Sequence, residues 1–536
     1  MKKISLMLIC LLLAACSSEN NNSKASDQSS RSLNICFIHS PTSPDPRRSG
    51  DMVTSSFAFM LFDGLTNVTK DGSVKMALAK SYDLSEDGKT YTFHLRPSTW
   101  SDGQPLTAHD FEYAWKSVLS PDFPSPCSFL MFPVNYAKEA KEGLVSVDQV
   151  GVKALDDLTF QVQLKSPCPY FLKLVSFYTF FPTPKHIDSI NPTWYQAPGP
   201  ETVCNGPFKI KNWSFDRKMV VERNSKHWDA DTIEIESLTA NIVHDENTML
   251  QMFEQGTIDW MGGPVAPIPL DALPQLVKKG KITTDSIAAE VFLTFNTKKF
   301  PFNNVNIRKA FAMALDRKMI TENVSQTGEI PASSFVPTAL IGYEQPKLIA
   351  TKAKREEAKA YFKKGLKELD IAEDAFPKVT LSIPSIELYR KVGQAIQQQI
   401  QNALGVELSL DVTDMQIVMG NLVKRKYDVG LIHLTAQYHD PMNIFERFMF
   451  ENAPKNYPAW HSDEYVSLID ASLSAESEEK RSELFIAAEK LLAEEMPFTP
   501  IYFYNSHSLI SDAVSGVMIS AINSLHFKDV KFEETK

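Results

Sequence analysis

No block of lysine and arginine runs through these 536 residues, and the formal charge is −10, from 55 basic and 65 acidic side chains. A nucleic-acid partner would ask for a concentrated positive patch, so that class is set aside. The chain also lacks HExxH, GxSxG and the phosphate loop GxxxxGK followed by Ser or Thr, the spacings that would bring a metal, a nucleophile or a nucleotide into play. Catalysis therefore has no constellation to stand on. Cysteine is scarce, six in all, and no two of them form a CxxC pair. Long apolar runs are scarce too: residues 4–13 form one that is too short to span a bilayer, and no later stretch is long and apolar enough.

What remains is a large soluble chain, 43% hydrophobic and 22% charged, too long for one core, so two or three domains are expected. Its start is informative. Lys2-Lys3 precedes the apolar run of residues 4–13, as in a secretory signal. Leu13-Ala14-Ala15-Cys16 then resembles a bacterial lipobox, in which the cysteine thiol receives a diacylglyceryl group. Residues 1–15 are thus expected to be removed, with Cys16 as the lipidation site. The Ser- and Asn-rich residues 16–32 then read as a flexible tether to the bilayer. An envelope location facing the periplasm follows, and it permits disulfides. Among Cys36, Cys127, Cys168 and Cys204 three full pairings are open, and spacing does not choose between them.

Period-two and period-3.6 patterns alternate along the chain. Residues 33–38 read as a first strand, and residues 90–96 alternate Tyr91, Phe93 and Leu95 against polar neighbours. Thr107 begins a capping-box-like start to a helix whose apolar face is Phe111, Ala114, Trp115 and Val118. Ile307, Ala310, Phe311, Ala314 and Leu315 form a second stripe; Arg308, Asp316 and Arg317 beside it are expected in ion pairs. Further on, Leu388, Val392, Ile396, Ile400 and Leu404 step by four to Gly405, a natural helix end, with strands on either side. That β–α–β rhythm predicts a mostly parallel sheet. Ser477 with Glu478 and Glu479 opens a last long helix. Residues 427–441, YDVGLIHLTAQYHDP, start as a buried strand and turn polar and aromatic before a proline, the way an open sheet presents groups to a ligand.

Several of these stretches, YTFHLR with WSDGQPLTAHDFEYAW, PFNNVNIRKAFAMALDR and the 427–441 segment, resemble the bacterial oligopeptide-binding proteins, the family 5 substrate-binding subunits of ABC peptide importers. The similarity runs in order from Leu33 to Tyr504. It implies an α/β, bilobal periplasmic-binding-protein fold of type II, cluster C-like, with an extra domain on the first lobe. Residues 33–60, 191–288 and 507–536 would form the core lobe, 61–190 the extra domain and 289–506 the other lobe. It further implies a monomer with no cofactor, no metal and no catalysis. Its partners would be short peptides, an importer permease and, through acylated Cys16, the membrane.

The same resemblance assigns ligand contacts. In the family an Asp at the polar end of the strand in the 427–441 segment pairs with the peptide's free amino group, and here that position is Gln437, a neutral amide. Leu434 stands where the family has Trp, Leu431 where it has Arg, Tyr389 where it has a carboxylate-reading His, and Cys127 where it has a contacting Tyr. Tyr438, Tyr502 and Tyr504 keep the family's aromatics, and Asp51 with Met52 lies near the first crossing. Asp440 and Asp51 are the charged stand-ins for an amine, Lys424, Arg425 and Arg390 those for a carboxylate. A peptide with a blocked amine, such as a cell-wall fragment still carrying a sugar, fits Gln437 better than a free one. A nickel chelate or haem on the same fold is the alternative, but His433, His439 and His461 lack ligand spacing and read as solvated.

Overall fold

The computed structural model describes residues 31–340 and 342–533. Cys16 and the expected tether lie outside them, except for the tether's last two residues. Among the described residues no helix is long and apolar enough to cross a membrane.

The central element is one sheet of eleven strands. In chain order these are β1 (Ser32–Phe37), β2 (Phe208–Ser214), β3 (Lys218–Arg223), β4 (Ser237–Ile242), β5 (Trp260–Gly262), β6 (Thr283–Phe295), β7 (Ile330–Pro331), β8 (Val379–Pro384), β9 (Leu408–Thr413), β10 (Val429–Thr435) and β11 (Phe498–Ile510). Side by side they run β2-β3-β4-β1-β5-β11-β6-β10-β8-β9, with β7 against β11. Two lobes sit at the two ends of this order, and β6 and β11 belong to both.

The sheet is mixed, not mostly parallel. Only β1 with β4 and β5, and β8 with β9 and β10, run parallel. The β–α–β rhythm governs each lobe locally, around the helix Glu387–Leu404 for instance. Between the lobes the chain goes out along β6 and returns along β11, which forces these two strands antiparallel. Their ladder pairs Thr283–Ser286 with residues 505–508 and resumes at Glu290 opposite Phe503, breaking across residues 287–289. In the break, the Ala288 amide donates to the Ala521 carbonyl at 2.5 Å and its carbonyl accepts from the Ala436 amide at 2.7 Å. The backbone there bonds outward, to the chain's tail and to the second lobe, while remaining satisfied.

Residues between the first helix and β2 build a four-stranded antiparallel sheet from Ala79–Leu84, Thr90–Leu95, Thr159–Gln163 and Val152–Asp156. The helix Ala108–Leu119 covers it, with Phe111, Ala114, Trp115 and Val118 fully buried and Trp115 edge-on to Phe160 at 5.1 Å. The Asp110 carboxylate accepts from the Thr107 amide at 2.8 Å, which closes the helix start. This unit joins the first lobe at a double crossing. A Cβ on Gly206 would collide with the backbone of Leu61 and Phe62, so only glycine fits. Beside it the buried Asp63 accepts from the Trp228 indole at 2.9 Å and meets His227 at the same distance. Burial works to raise the Asp63 carboxyl, and these partners outweigh it and hold it at about 2.

Cys36, Cys127, Cys168 and Cys204 are all free and buried. Two further expectations change. Arg308 and Arg317 do not rest on carboxylates as their main partners: Arg308 donates to the carbonyls of Phe302, Glu495 and Met496, with the Glu495 carboxylate 3.6 Å away. Arg317 donates to the carbonyls of Pro500 and Ala350 and to Thr499 Oγ1. Asp316 instead caps the Met319 amide. These guanidinium groups close the unpaired carbonyls at the ends of β11 and its approach, where the sheet ladder cannot reach. Arg317→Met removes the donor shared by Pro500, Ala350, Thr499, Ala312 and Leu315 in a fully buried site, and we expect a loss of about 3 kcal/mol in urea unfolding. A change under about 0.5 kcal/mol contradicts this assignment.

Candidate functional site

The region where β10 ends is the meeting point of all parts of the fold. Val429–Thr435 lies between β6 and β8, and Leu434 pairs in register with Glu290 just past the break in β6. Two clusters of the expected ligand residues form around this strand, one at the hinge and one at its polar end.

At the hinge, the Tyr389 hydroxyl is 2.6 Å from His433 Nδ1 and 3.1 Å from the Tyr504 hydroxyl, and the Tyr502 ring lies 5.5 Å from Tyr504. Tyr389 reaches this point because the helix Glu387–Leu404 turns it, rather than Leu388, toward the core. A cleft of about 250 Å³ opens here, lined by Gly263, Pro267 and Asn523 from the first lobe and by His433, Thr435 and Tyr504 from the second. Burial raises the tyrosine hydroxyls and lowers His433, so this end of the cleft is neutral, with hydroxyl and imidazole groups that can both donate and accept. His433 is therefore no solvated turn residue.

At the polar end the residues separate. Tyr438 stacks on Tyr170 of the extra unit with centroids 4.9 Å apart and rings 8° from parallel. Asp440 is buried and takes both arms of Arg481, at 2.6 and 2.9 Å, with Lys173 at 3.6 Å. Its charge is thus already matched by two cations, which corrects its reading as a stand-in for an amine. Asp51 is committed as well, since it caps the helix Met52–Leu61 by accepting from the Thr54 amide and hydroxyl at 2.9 and 2.5 Å. Met52, half-buried, gives its carbonyl to Ser55 and Ser56. Arg425 folds back on the carbonyls of Leu422 and Val423, and Lys424 and Arg390 are exposed.

Gln437 has a partner that the sequence did not reveal. Lys455 donates to Gln437 Oε1 at 2.5 Å, and its ammonium lies 4.9 Å from the centre of the Phe129 ring, on the far side of the cleft. Burial, then the neighbouring Arg447, pulls Lys455 down to about 8, against the pull of Glu446, whose own carboxyl burial raises. Cys127, next to Phe129, sits 3.7 Å from the Tyr178 hydroxyl. Contacts from residues 127–129, 170 and 173 thus reach across to residues 437–440 and 455.

The sequence profile of the bacterial extracellular solute-binding proteins, family 5 (middle part), matches residues 73–456. The chain belongs to this family. It is 34% identical over 513 residues to the oligopeptide-binding protein OppA of Bacillus subtilis, covering 95% of this chain and 94% of that one. Among solved structures, the murein tripeptide binding protein MppA of Escherichia coli superposes with a TM-score of 0.79 at 26% identity, covering 94% of this chain and 99% of the other. The OppA of Haemophilus influenzae, in complex with the peptide RPPGFSPFR, superposes with a TM-score of 0.77 at 25% identity, covering 94% and 99%. The bilobal α/β binding-protein fold is thereby shared along nearly the whole chain.

Against that family frame, Lys455, Arg481, Lys173 and Phe129 are the residues that sequence reasoning missed. Lys455 lies in a loop between short turns and Arg481 in an ordinary charged helix, so neither carries a local signal. Tyr170 lies in an aromatic stretch with Phe171, Phe177, Tyr178, Phe180 and Phe181, where nothing local singles it out. His439 is the other correction: it is 2% exposed, and neither ring nitrogen has a protein partner. Burial and then the nearby Lys173 and His526 hold its ring at about 3, and half-buried His526 is itself lowered by desolvation to about 4. Both imidazoles start from about 6.5 in the unfolded chain, which therefore binds more protons than the native state between those limits. Their share of stability is complete above pH 6.5 and is lost as pH falls toward 4 and 3. We expect both rings to remain neutral at pH 5 by NMR. A charged His439 ring at pH 5 contradicts the buried placement.

Proposed function

We propose that this protein captures short peptides in the cleft between its lobes and delivers them to an ABC importer, held to the membrane by a lipid on Cys16. Its role is capture, without chemistry on the ligand. The observation that carries this reading is the two-strand hinge at residues 287–289, with Tyr389, His433 and Tyr504 on one side of it and Gly263, Pro267 and Asn523 on the other. Hinges of this kind let rigid lobes close around a ligand by changing a few backbone torsions. Family membership and the peptide ligands named for OppA and MppA point the same way. The moving parts in this reading are the lobe made of residues 33–60, 191–288 and 507–536, the unit 61–190 carried on it, and the lobe 289–506. The cleft walls are rich in hydroxyl, imidazole and amide groups that can pair with a peptide backbone, and such pairing is indifferent to side-chain identity.

The test is thermal melting of residues 17–536 with a library of peptides two to six residues long. A ligand at a hundred times its dissociation constant adds about 2.7 kcal/mol to native stability, so binders raise the melting temperature clearly. Mass spectrometry of the peptides afterwards should find them intact. No shift with any peptide overturns the reading, and cleavage overturns its non-catalytic part.

A further inference from the structure

The polar end of the cleft already contains an amine. Lys455 fixes the Gln437 amide with its oxygen toward the lysine, so the groups left to a ligand at this point are donors: the Gln437 Nε2 and the two other N–H bonds of the Lys455 ammonium. No carboxylate nearby is free to balance an incoming positive charge. Asp440 is matched by Arg481 and Lys173, Asp51 caps its own helix, and Glu446 accepts from Asn443 Nδ2 at 3.3 Å and already faces Lys455 and Arg447. Arg447 adds a second cation behind Lys455, itself held by Glu290 at 2.8 Å. A free α-ammonium reaching Gln437 would therefore meet like charge at an amide oxygen that already accepts from Lys455. An oxygen acceptor would meet N–H donors on two groups, the Gln437 Nε2 and the Lys455 ammonium, and the second is a cation of low hydration, where a charge-assisted bond is strong.

We propose that Lys455 is a specificity-determining residue that makes this cleft select N-acylated peptides, presenting a carbonyl or carboxylate oxygen to Gln437 and Lys455, over peptides with a free amino terminus. The inference rests on the peptide-binding reading above and names its ligand class. Phe129, across the cleft, restricts solvent at the ammonium and keeps the discrimination from being screened. The same lysine accounts for Gln437: a carboxylate at that position would pair with Lys455 and take up its cationic donors.

The experiment compares the peptide library in free, N-acetylated and N-succinylated forms, by calorimetric titration at pH 7. The acetyl form offers a neutral carbonyl, the succinyl form a carboxylate. Wild-type protein is expected to bind one or both acylated forms about tenfold or more tightly than the free form. Lys455→Met should bring the forms to within about threefold of one another, and Gln437→Asp with Lys455→Met should reverse the order in favour of the free amine. That reversal is a gain that a misfolded variant cannot imitate. Raising the pH from 7 to 9 should weaken succinyl-peptide binding to the wild type and leave Lys455→Met unchanged. Tighter binding of free peptides by the wild type, or an acyl preference that survives Lys455→Met, overturns this inference and leaves peptide capture standing. Failure of every form to bind the wild type overturns peptide capture itself.

Discussion

The pairing of β6 with β11 is the constraint on which the architecture depends. Each strand has thirteen residues, long enough to serve both lobes, and the two carry the chain across in opposite senses. Everything N-terminal of β6 must therefore assemble with the tail after β11, and everything between them must fold as an insert. The break at residues 287–289 turns what would be a stiff ribbon into two short ladders joined by a pliable step. Its backbone groups bond to Ala521 on one side and Ala436 on the other, so hinge geometry is coupled directly to the strand end that bears Gln437. Position at the hinge and position at the ligand end are one structural fact.

Charge is buried along the same axis. Glu290, the first residue after the break, is fully buried with one oxygen on Arg447 and the other without a partner; burial raises it to about 7. Glu489 accepts from the Phe335 and Val336 amides and is likewise raised to about 7. An isolated ion pair in such surroundings contributes little net stability and mainly fixes geometry. Here it fixes the Arg447 segment, and with it Glu446 and the loop to Lys455, against the hinge strand. The second lobe thus holds the loop to Lys455 beside groups that take up protons near neutrality, a direction opposite to that of His439 and His526.

Much of the fold could be read from local pattern, because local pattern is what builds each element. The alternation at Tyr91, Phe93 and Leu95 gives a strand with alternate residues buried, and Gly405 ends its helix at φ 71°. Ser477 caps its helix as its spacing indicates. Sheet polarity was misjudged since period and loop length describe neighbours in sequence, whereas β6 and β11 are about two hundred residues apart. The site was legible only in part for a similar reason. Tyr389, Tyr502 and Tyr504 do converge, yet Asp440 and Gln437 looked free only because their partners, Arg481 and Lys455, are 41 and 18 residues away and lie in unremarkable surroundings. A charge is free or matched according to the tertiary structure, and sequence spacing does not report it.

The stack of Tyr170 on Tyr438 and the approach of Lys173 to Asp440 join the extra unit directly to the second lobe. These contacts contribute the same free energy to the joined arrangement of the two units whatever the cleft holds. On the peptide-capture reading, every ligand then inherits a common background affinity, set by the protein's own surfaces, over which the end-group preference at Gln437 and Lys455 acts. Altering the Tyr170–Tyr438 stack would move all the protein's affinities together, and the residence time of every cargo with them, while leaving their ranking intact.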